Sequence, residues 1–268
     1  MKNHKDYPIN LAGKSEYKTD RSKIKSGFIG RRLFYPRLIK IVFDSNRMTK
    51  KNLYNRYNWV ASSLYTIRSM EKAGLDFQVE GLDNLEKFDG PAVFVGNHMS
   101  TLETLALPTF IQPIKPVVYV IKEELTRYPL FGDVAKARHP IVVGRANPRE
   151  DLQIVLNEGS SRLKEGKSVI IFPQRTRSNY FDAKQFNSLG VKLAKRNDVY
   201  VVPLALATDA WMNGKIIKEF GPLDLSKKVH FAFGEPFKVE TNGTEENQRV
   251  IEFIQTKLKE WGREEYVL

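Results

Sequence analysis

The stretch Gly90–Glu103 reads GPAVFVGNHMSTLE. Ala92–Val95 is a continuous apolar run bounded by Gly90-Pro91 and Gly96, the pattern of a strand buried on both faces. His98 follows it directly, and Ser100-x-x-Glu103 has the form of a helix N-terminus. The same alternation of strand and helix repeats outward along the chain. Phe77–Glu80, Val117–Ile121, Ile141–Val143, Val169–Phe172, Val199–Leu206 and Val229–Phe233 read as further strands. Helical patterns lie between them. The best marked begins at Asn147-Pro148-Arg149-Glu150, where Asn can cap, Pro fits the first turn and Glu completes a capping box. A last helix spans Glu245 to Trp261, with Val250, Ile254, Leu258 and Trp261 on one face. This order predicts an α/β domain: a mostly parallel central sheet flanked by helices.

The composition fits one large domain with a small appendage: 268 residues, 41% hydrophobic and 28% charged. No cysteine is present, which excludes disulfide scaffolds, thiolate zinc sites and cysteine nucleophiles. The longest stretch free of Asp, Glu, Lys and Arg, Gly90–Leu102, has 13 residues. A spanning helix needs about 18 apolar residues, so none is expected. The opening MKNHKDYPIN lacks an apolar core, so no signal peptide is expected either. The expected location is the cytoplasmic face of a membrane, peripheral or monotopic.

Of the net charge of +12, residues 1–56 carry +11, with 15 Lys/Arg against 4 Asp/Glu. A basic leader on a nearly neutral globule points to an anionic partner. Residues 1–26 are polar and Lys-rich and read as a disordered tail. Residues 27–76 read as a basic amphipathic helical hairpin. In it Phe28–Phe43 interleaves cations with large apolar residues, Pro36 is expected to break or kink a helix, and Asp44-Ser45-Asn46 reads as a turn. Leu53, Tyr57, Val60, Leu64 and Ile67 form a second helical stripe. The hairpin could associate with a membrane or simply cover the core. Residues 77–268 form the main domain. On this reading the leader is separable from the chemistry.

Of four histidines, His4 lies in the polar tail, His139 has no evident partner, and His230 sits in an apolar strand as a core residue. His98 differs by standing at a strand end, where open α/β sheets place ligands. His98 and Glu103 are about 140° out of phase on a continuous helix. They meet only if His98 precedes the helix and Glu103 lies in its first turn, with Ser100 as N-cap. Glu103 could then fix the imidazole tautomer and leave the other nitrogen as a base; it could equally be a plain capping box. No carboxylate or His cluster suggests a metal. Arg145, Arg175 and Arg177 also follow buried strands, where arginine suits bidentate phosphate recognition.

In this order the motifs resemble those of the 1-acylglycerol-3-phosphate acyltransferase (lysophosphatidic acid acyltransferase) type of glycerolipid acyltransferases. Asn97–Glu103 is similar to the family's N-H-x-x-x-x-D motif, and Lys122-Glu123-Glu124-Leu125 with Pro129 and Gly132 to its K-x-E-L…P-x-x-G stretch. Val142–Arg145 occupies the place of its second motif. Phe172–Ser178 resembles F-P-E-G-T-R-S, Val202–Ala205 its fourth motif, and Phe233–Pro236 its closing turn. The likeness runs from about Phe77 to Val239. Glu103 stands where the family usually has Asp, and Gln174-Arg175 replaces Glu-Gly.

The resemblance implies transfer of a fatty acyl group from acyl-CoA or acyl-carrier protein to a lysolipid hydroxyl, with 1-acylglycerol 3-phosphate as favoured acceptor and phosphatidic acid as product. It makes His98 the general base, oriented by Glu103. Asn97, Ser100, Thr101, Lys122, Arg145, Gln174, Arg175, Thr176 and Arg177 are expected to bind the acceptor and its phosphate. The acyl donor is a co-substrate, and no metal or other cofactor is expected. Expected partners are anionic membrane lipid, a lysolipid and the acyl donor, with no nucleic acid. The Gln174-Arg175 departure keeps a different lipid acceptor open, whether lysophospholipid, glycolipid or amino-acid lipid. The basic leader taken alone would also permit a non-enzymatic membrane-binding module.

Overall fold

Period-two alternation along the central strands sorts their side chains into two separate cores, one on each face of the sheet. In a computed structural model, which describes residues 7–24, 27–174, 176–214 and 220–268, Ala92 and Phe94 enter one core and Val93 and Val95 the other. Val202, Leu204 and Leu206 likewise part from Val201, Ala205 and Ala207. Each fully buried side chain of this size contributes about 1.5–3 kcal/mol by leaving water.

The first half of the chain holds β1 (Glu16–Lys18), α1 (Phe28–Arg32), α2 (Phe34–Lys50), α3 (Arg56–Ala73), β2 (Phe77–Glu80), β3 (Ala92–Gly96) and α4 (Leu102–Ile111). β4 (Val117–Lys122), α5 (Phe131–Ala137), β5 (Ile141–Val143), α6 (Pro148–Lys164) and β6 (Ser168–Ile171) follow. The rest comprises α7 (Leu189–Arg196), β7 (Tyr200–Ala207), β8 (Val229–Phe233) and α8 (Thr244–Glu260). Among the described residues one eight-stranded sheet runs β1-β2-β8-β7-β3-β6-β4-β5. The β1–β2 and β7–β8 pairs are antiparallel and the others parallel. This is the expected α/β class. Residues of α2 to α5 pack into the first core, and those of α6, α7 and α8 into the second. Asn147 caps α6 as anticipated, accepting from the N–H groups of Arg149 and Glu150, with Pro148 in the first turn.

Strand direction is what places the site. Because β7, β3, β6, β4 and β5 are consecutive and parallel, the segments that follow them emerge along one edge of the sheet. That edge carries Thr208, His98, Gln174, Lys122 and Arg145. Gly96 sits where β3 presses on β7: a Cβ there would lie 2.7 Å from the Leu204 carbonyl oxygen.

The N-terminal region departs from expectation in three ways. Residues 7–24 are ordered, whereas a disordered tail was expected. Leu11 is buried, and Glu16–Lys18 adds an edge strand to β2. Glu71, itself buried, accepts from the Tyr17 and Thr19 hydroxyls at 2.7 and 2.8 Å. Arg21 bonds Asp76 and the Glu71 and Gly74 carbonyls. Such contacts lie fifty or more residues apart, and local composition carries no trace of them. His4 lies outside the described residues.

Second, Pro36 does not break the helix. It occupies the first turn of α2, where an N–H would have no helical partner. Third, Asp44-Ser45-Asn46 is helix and not turn. Asp44 pairs with Lys40 one turn back, and buried Asn46 bonds the Leu130 carbonyl and Asp133. The chain reverses instead through residues 51–55. In the second stripe Val60, Leu64 and Ile67 are buried, while Leu53 and Tyr57 are exposed. Phe34, Leu38, Trp59, Ile67 and Met70 belong to the same core as Phe77, Phe94 and Leu102. The leader is therefore part of the domain's packing and not separable from it.

His230 was expected as a core residue, but on β8 it is only half-buried. It stacks on Trp261, with ring centroids 4.9 Å apart and planes at 18°. Burial pushes it down to about 4, helped by Arg263 and Lys228 and opposed by Asp209. The unfolded chain takes up this proton near 6.5, so between that pH and about 4 only the unfolded state gains it, and stability falls as pH falls. His230→Phe, which can keep the Trp261 stack, should flatten the pH dependence of urea unfolding across that window. An unchanged slope would contradict a neutral half-buried imidazole.

Candidate active site

After β3 the chain leaves the sheet through Asn97, whose amide stands in for a strand residue. Its Nδ2 donates to the Leu206 carbonyl at 2.8 Å, and its Oδ1 accepts the Leu206 N–H at 2.9 Å. This anchors the turn that lifts His98 over the strand ends. Asn97 and Ser100 were both expected to bind the acceptor. Both are buried and spent on the protein itself: Asn97 on β7, Ser100 on Thr208, Leu102 and Glu103.

Glu103, in the first turn of α4, has no solvent exposure. Its Oε1 lies 2.8 Å from His98 Nδ1 and accepts the Met99 N–H at 2.7 Å. Its Oε2 accepts the Thr208 hydroxyl at 2.6 Å, and the Ser100 N–H is 3.1 Å from both oxygens. The capping and orienting readings of Glu103 are thus both realised, by one carboxylate. The reciprocal half of the cap differs slightly from expectation. Thr101, not Ser100, occupies the N-cap position, and Ser100 Oγ accepts from the Leu102 N–H.

Burial alone would raise the Glu103 carboxyl. The His98 hydrogen bond and charge, the Thr208 hydroxyl and the Met99 N–H outweigh it and hold the group below the ordinary carboxylate value. An anionic Glu103 assigns the proton to His98 Nδ1 and leaves the lone pair on Nε2. No protein group engages Nε2 among the described residues. The imidazole plane is fixed from β6: Phe172 stacks on it with centroids 4.5 Å apart and planes 4° from parallel. Gln174 Oε1 accepts the His98 backbone N–H at 2.5 Å, and the Ser178 N–H donates to the His98 carbonyl at 2.9 Å.

One cation lies beside this base and a second follows β5 on the same edge of the sheet. Arg177 donates to the Thr101 hydroxyl beside His98. Arg145 follows β5 with a left-handed backbone, φ 62, and Asp151 accepts from the N–H groups of Gly144 and Arg145 at 3.1 and 3.3 Å. Burial lowers the Arg145 guanidinium from its ordinary value, Asp151 and Glu124 oppose this, and Arg177 adds to it, so the two arginines feel each other's charge. Lys122 ends β4 in register with Val143. Thr176 is exposed, and Arg175 lies outside the described residues. Thr208 and Phe172 were missed as site residues. A signal for both existed, since each directly follows a buried strand parallel to and adjacent to β3.

A base with a fixed tautomer, a stacked ring and a guanidinium group beside it can deprotonate a hydroxyl on a molecule that also carries an anionic group. Residues 76–207, about half of the chain, match the family described as Acyltransferase. The chain belongs, through this domain, to the acyltransferase family.

The chain is 32% identical over 148 residues to a 1-acyl-sn-glycerol-3-phosphate acyltransferase of Pseudomonas aeruginosa, covering 55% of each chain. A chloroplastic 1-acyl-sn-glycerol-3-phosphate acyltransferase of Arabidopsis thaliana is 29% identical over 148 residues, 55% of this chain and 38% of its own. The match spans about half the length of the first of these relatives and less of the second. The crystal structure of the 1-acyl-sn-glycerophosphate (LPA) acyltransferase PlsC from Thermotoga maritima shares the fold, with TM-score 0.63 and 21% identity over 87% of this chain and 94% of that one.

Glu103→Gln would aim an amide N–H₂ at a ring of donors. It should cost about 2–4 kcal/mol at pH 7. The Glu103 contribution is complete above the unfolded-state value of 4.5 and is lost as pH falls below it through the depressed native value. Denaturant titrations of variant and wild type should therefore converge at acid pH. A gap that stays constant would count against an ionised Glu103.

Proposed function

We propose that the protein transfers a fatty acyl group from a thioester, acyl-CoA or acyl-carrier protein, to the free hydroxyl of 1-acylglycerol 3-phosphate, giving phosphatidic acid for phospholipid synthesis. The observation that carries this is His98 with Nδ1 on Glu103, Nε2 engaged by no group among the described residues, and Arg177 beside it on Thr101. The relatives' names supply the acceptor.

The hydroxyl gives its proton to Nε2 as its oxygen bonds to the thioester carbonyl carbon. The carbon–sulfur bond then breaks, and the leaving sulfur takes the proton back from the imidazolium. Glu103 holds the positive charge in between. Arg177 and Arg145 bind the acceptor's phosphate and place the hydroxyl at Nε2. Gln174 sits beneath His98 as a neutral amide where the family motif carries a carboxylate, which favours testing other lipid acceptors as a second reading.

With purified protein, labelled acyl-CoA or acyl-carrier protein and 1-acylglycerol 3-phosphate, His98→Ala should lower transfer by about 10²–10⁴-fold. Arg177→Ala and Arg145→Ala should act mainly through KM for the phosphate-bearing acceptor. Full activity of His98→Ala would sink the proposal. Preference for a lysolipid without the terminal phosphate would move the assignment to the second reading.

The acceptor is a lipid, and no helix among the described residues is long and apolar enough to cross a membrane. The proposed contact with anionic lipid is made by α1 and α2. Phe28 and Ile29 are 69% and 72% exposed, and Ile39, Phe43 and Leu53 are also exposed. Arg31, Arg32, Arg47, Lys50 and Lys51 lie among them. Each basic residue near an anionic surface adds about 1 kcal/mol. Since α2 is built into the core, the informative change is at exposed side chains. Phe28→Ser with Ile29→Ser should weaken sedimentation with phosphatidylglycerol vesicles while leaving the melting temperature nearly unchanged. Equal binding by variant and wild type would place the lipid contact elsewhere.

A further inference from the structure

Thr208 follows β7 directly, one residue beyond the family match. It is fully buried, and its hydroxyl is 2.6 Å from Glu103 Oε2. Proton accounting decides the direction of the bonds. An ionised carboxylate has no proton to give, so Thr208 spends its one hydroxyl proton on Oε2. Ser100 Oγ lies 3.0 Å from both Thr208 O and Thr208 Oγ1 and 3.2 Å from Oε2. Its own single proton goes to Thr208, and its lone pair accepts the Leu102 N–H at 3.1 Å. The two oxygens of Glu103 are thereby given different work. Oε1 serves His98 and the Met99 N–H; Oε2 is held by Thr208 and the Ser100 N–H.

We infer that Thr208 is a positioning residue of the reaction. By holding Oε2 it fixes the rotation of the carboxylate that presents Oε1 to His98. It touches no substrate and acts through Glu103. The inference rests on the reading of His98 as general base.

The surroundings isolate this contact. From β4, Tyr119 reaches only the Glu103 backbone carbonyl, at 3.4 Å. From the segment after β6, Arg177 bonds Thr101, and Gln174 is neutral. Asp209, beside Thr208, faces away and pairs with Lys227 at 2.6 Å, with the Tyr266 hydroxyl at 2.9 Å and Arg263 at 3.6 Å also on it. Among the described residues, the charge of Glu103 is thus shared by the imidazole and the Met99 N–H on Oε1 and by the Thr208 hydroxyl and the Ser100 N–H on Oε2, the Thr208 hydroxyl making the shortest of these contacts at 2.6 Å. A hydroxyl bond stabilises the bare anion more than the anion already paired with imidazolium. Its loss raises the proton affinity of the His98–Glu103 pair.

The test compares Thr208→Val, which keeps the shape and removes the hydroxyl, with Thr208→Ser, which keeps the hydroxyl. Wild type and His98→Ala are run in parallel. Thr208→Val should lower kcat about 10- to 100-fold with KM nearly unchanged, and move the acid limb of the pH–rate profile upward by about one unit. Thr208→Ser should stay within about threefold of wild type. In the free protein, the His98 ring-proton resonance should titrate at higher pH in Thr208→Val. If that variant does not fold, Thr208→Ala carries the same expectation.

A hydroxyl-free variant with wild-type kcat and an unmoved His98 titration would overturn the inference. So would folded Thr208→Ser losing as much activity as Thr208→Val. Wild type without transfer from any donor would instead sink the acyltransferase reading, and the NMR titration, which needs no substrate, would still decide the role of Thr208.

Discussion

Everything at the sheet edge depends on keeping one carboxylate ionised where water does not reach. Removing a carboxylate from water costs several kcal/mol even in a relaxed protein, and the cost is met only if its lone pairs are filled. Glu103 draws on four donors: His98, the two N–H groups of Met99 and Ser100, and the Thr208 hydroxyl. They come from the turn after β3 and from the end of β7, so satisfying the charge dictates the path of both. If the turn after β3 shifted, two backbone donors and the imidazole would leave together. The electrostatics of one side chain thus explains why a stretch without regular structure is as closely specified as the strands around it.

The sheet supplies the second constraint. Parallel neighbours β7, β3, β6, β4 and β5 deliver five following segments to the same edge, and each brings a different chemical group. Burial of apolar residues on both faces holds that edge rigid. The cations there are arranged at some cost. Arg145 adopts a left-handed backbone, and its guanidinium is disfavoured both by burial and by Arg177. Asp151 and Glu124 offset part of that cost.

What the sequence made legible was local. The buried run Ala92–Val95, the Asn147-Pro148 cap and the strand-end position of His98 need only neighbours in the chain. What it hid was settled across long separations. Asn97 looks like a ligand-binding residue, yet its amide completes the edge of β7, 109 residues away. Asp44-Ser45-Asn46 has turn composition, but the contacts of buried Asn46 with the Leu130 carbonyl and Asp133 favour helix, as tertiary contacts do over weak propensities. The strand Glu16–Lys18 is too short and polar to show periodicity, and exists because β2 offers it an edge. Thr208 did follow a buried strand, but that signal gains its meaning only from a carboxylate partner 105 residues away.

The same logic changes the meaning of the basic leader. A charge of +11 in residues 1–56 suggests a detachable anchor. Instead α2 and α3 turn one side into the main core, and their packing reaches the base itself. Trp59 of α3 lies 6.2 Å from Tyr119, Tyr119 lies 6.4 Å from Phe172, and Phe172 stacks on His98. These are ring contacts in a close-packed interior, which deforms little. Helices packed toward His98 in this way cannot be reoriented on a lipid surface without carrying its imidazole with them. On the proposed function, the exposed face of α1 and α2 therefore fixes more than residence at the membrane. It fixes the angle from which a lysolipid hydroxyl approaches Nε2, a property that a flexible tether of the same charge would lack.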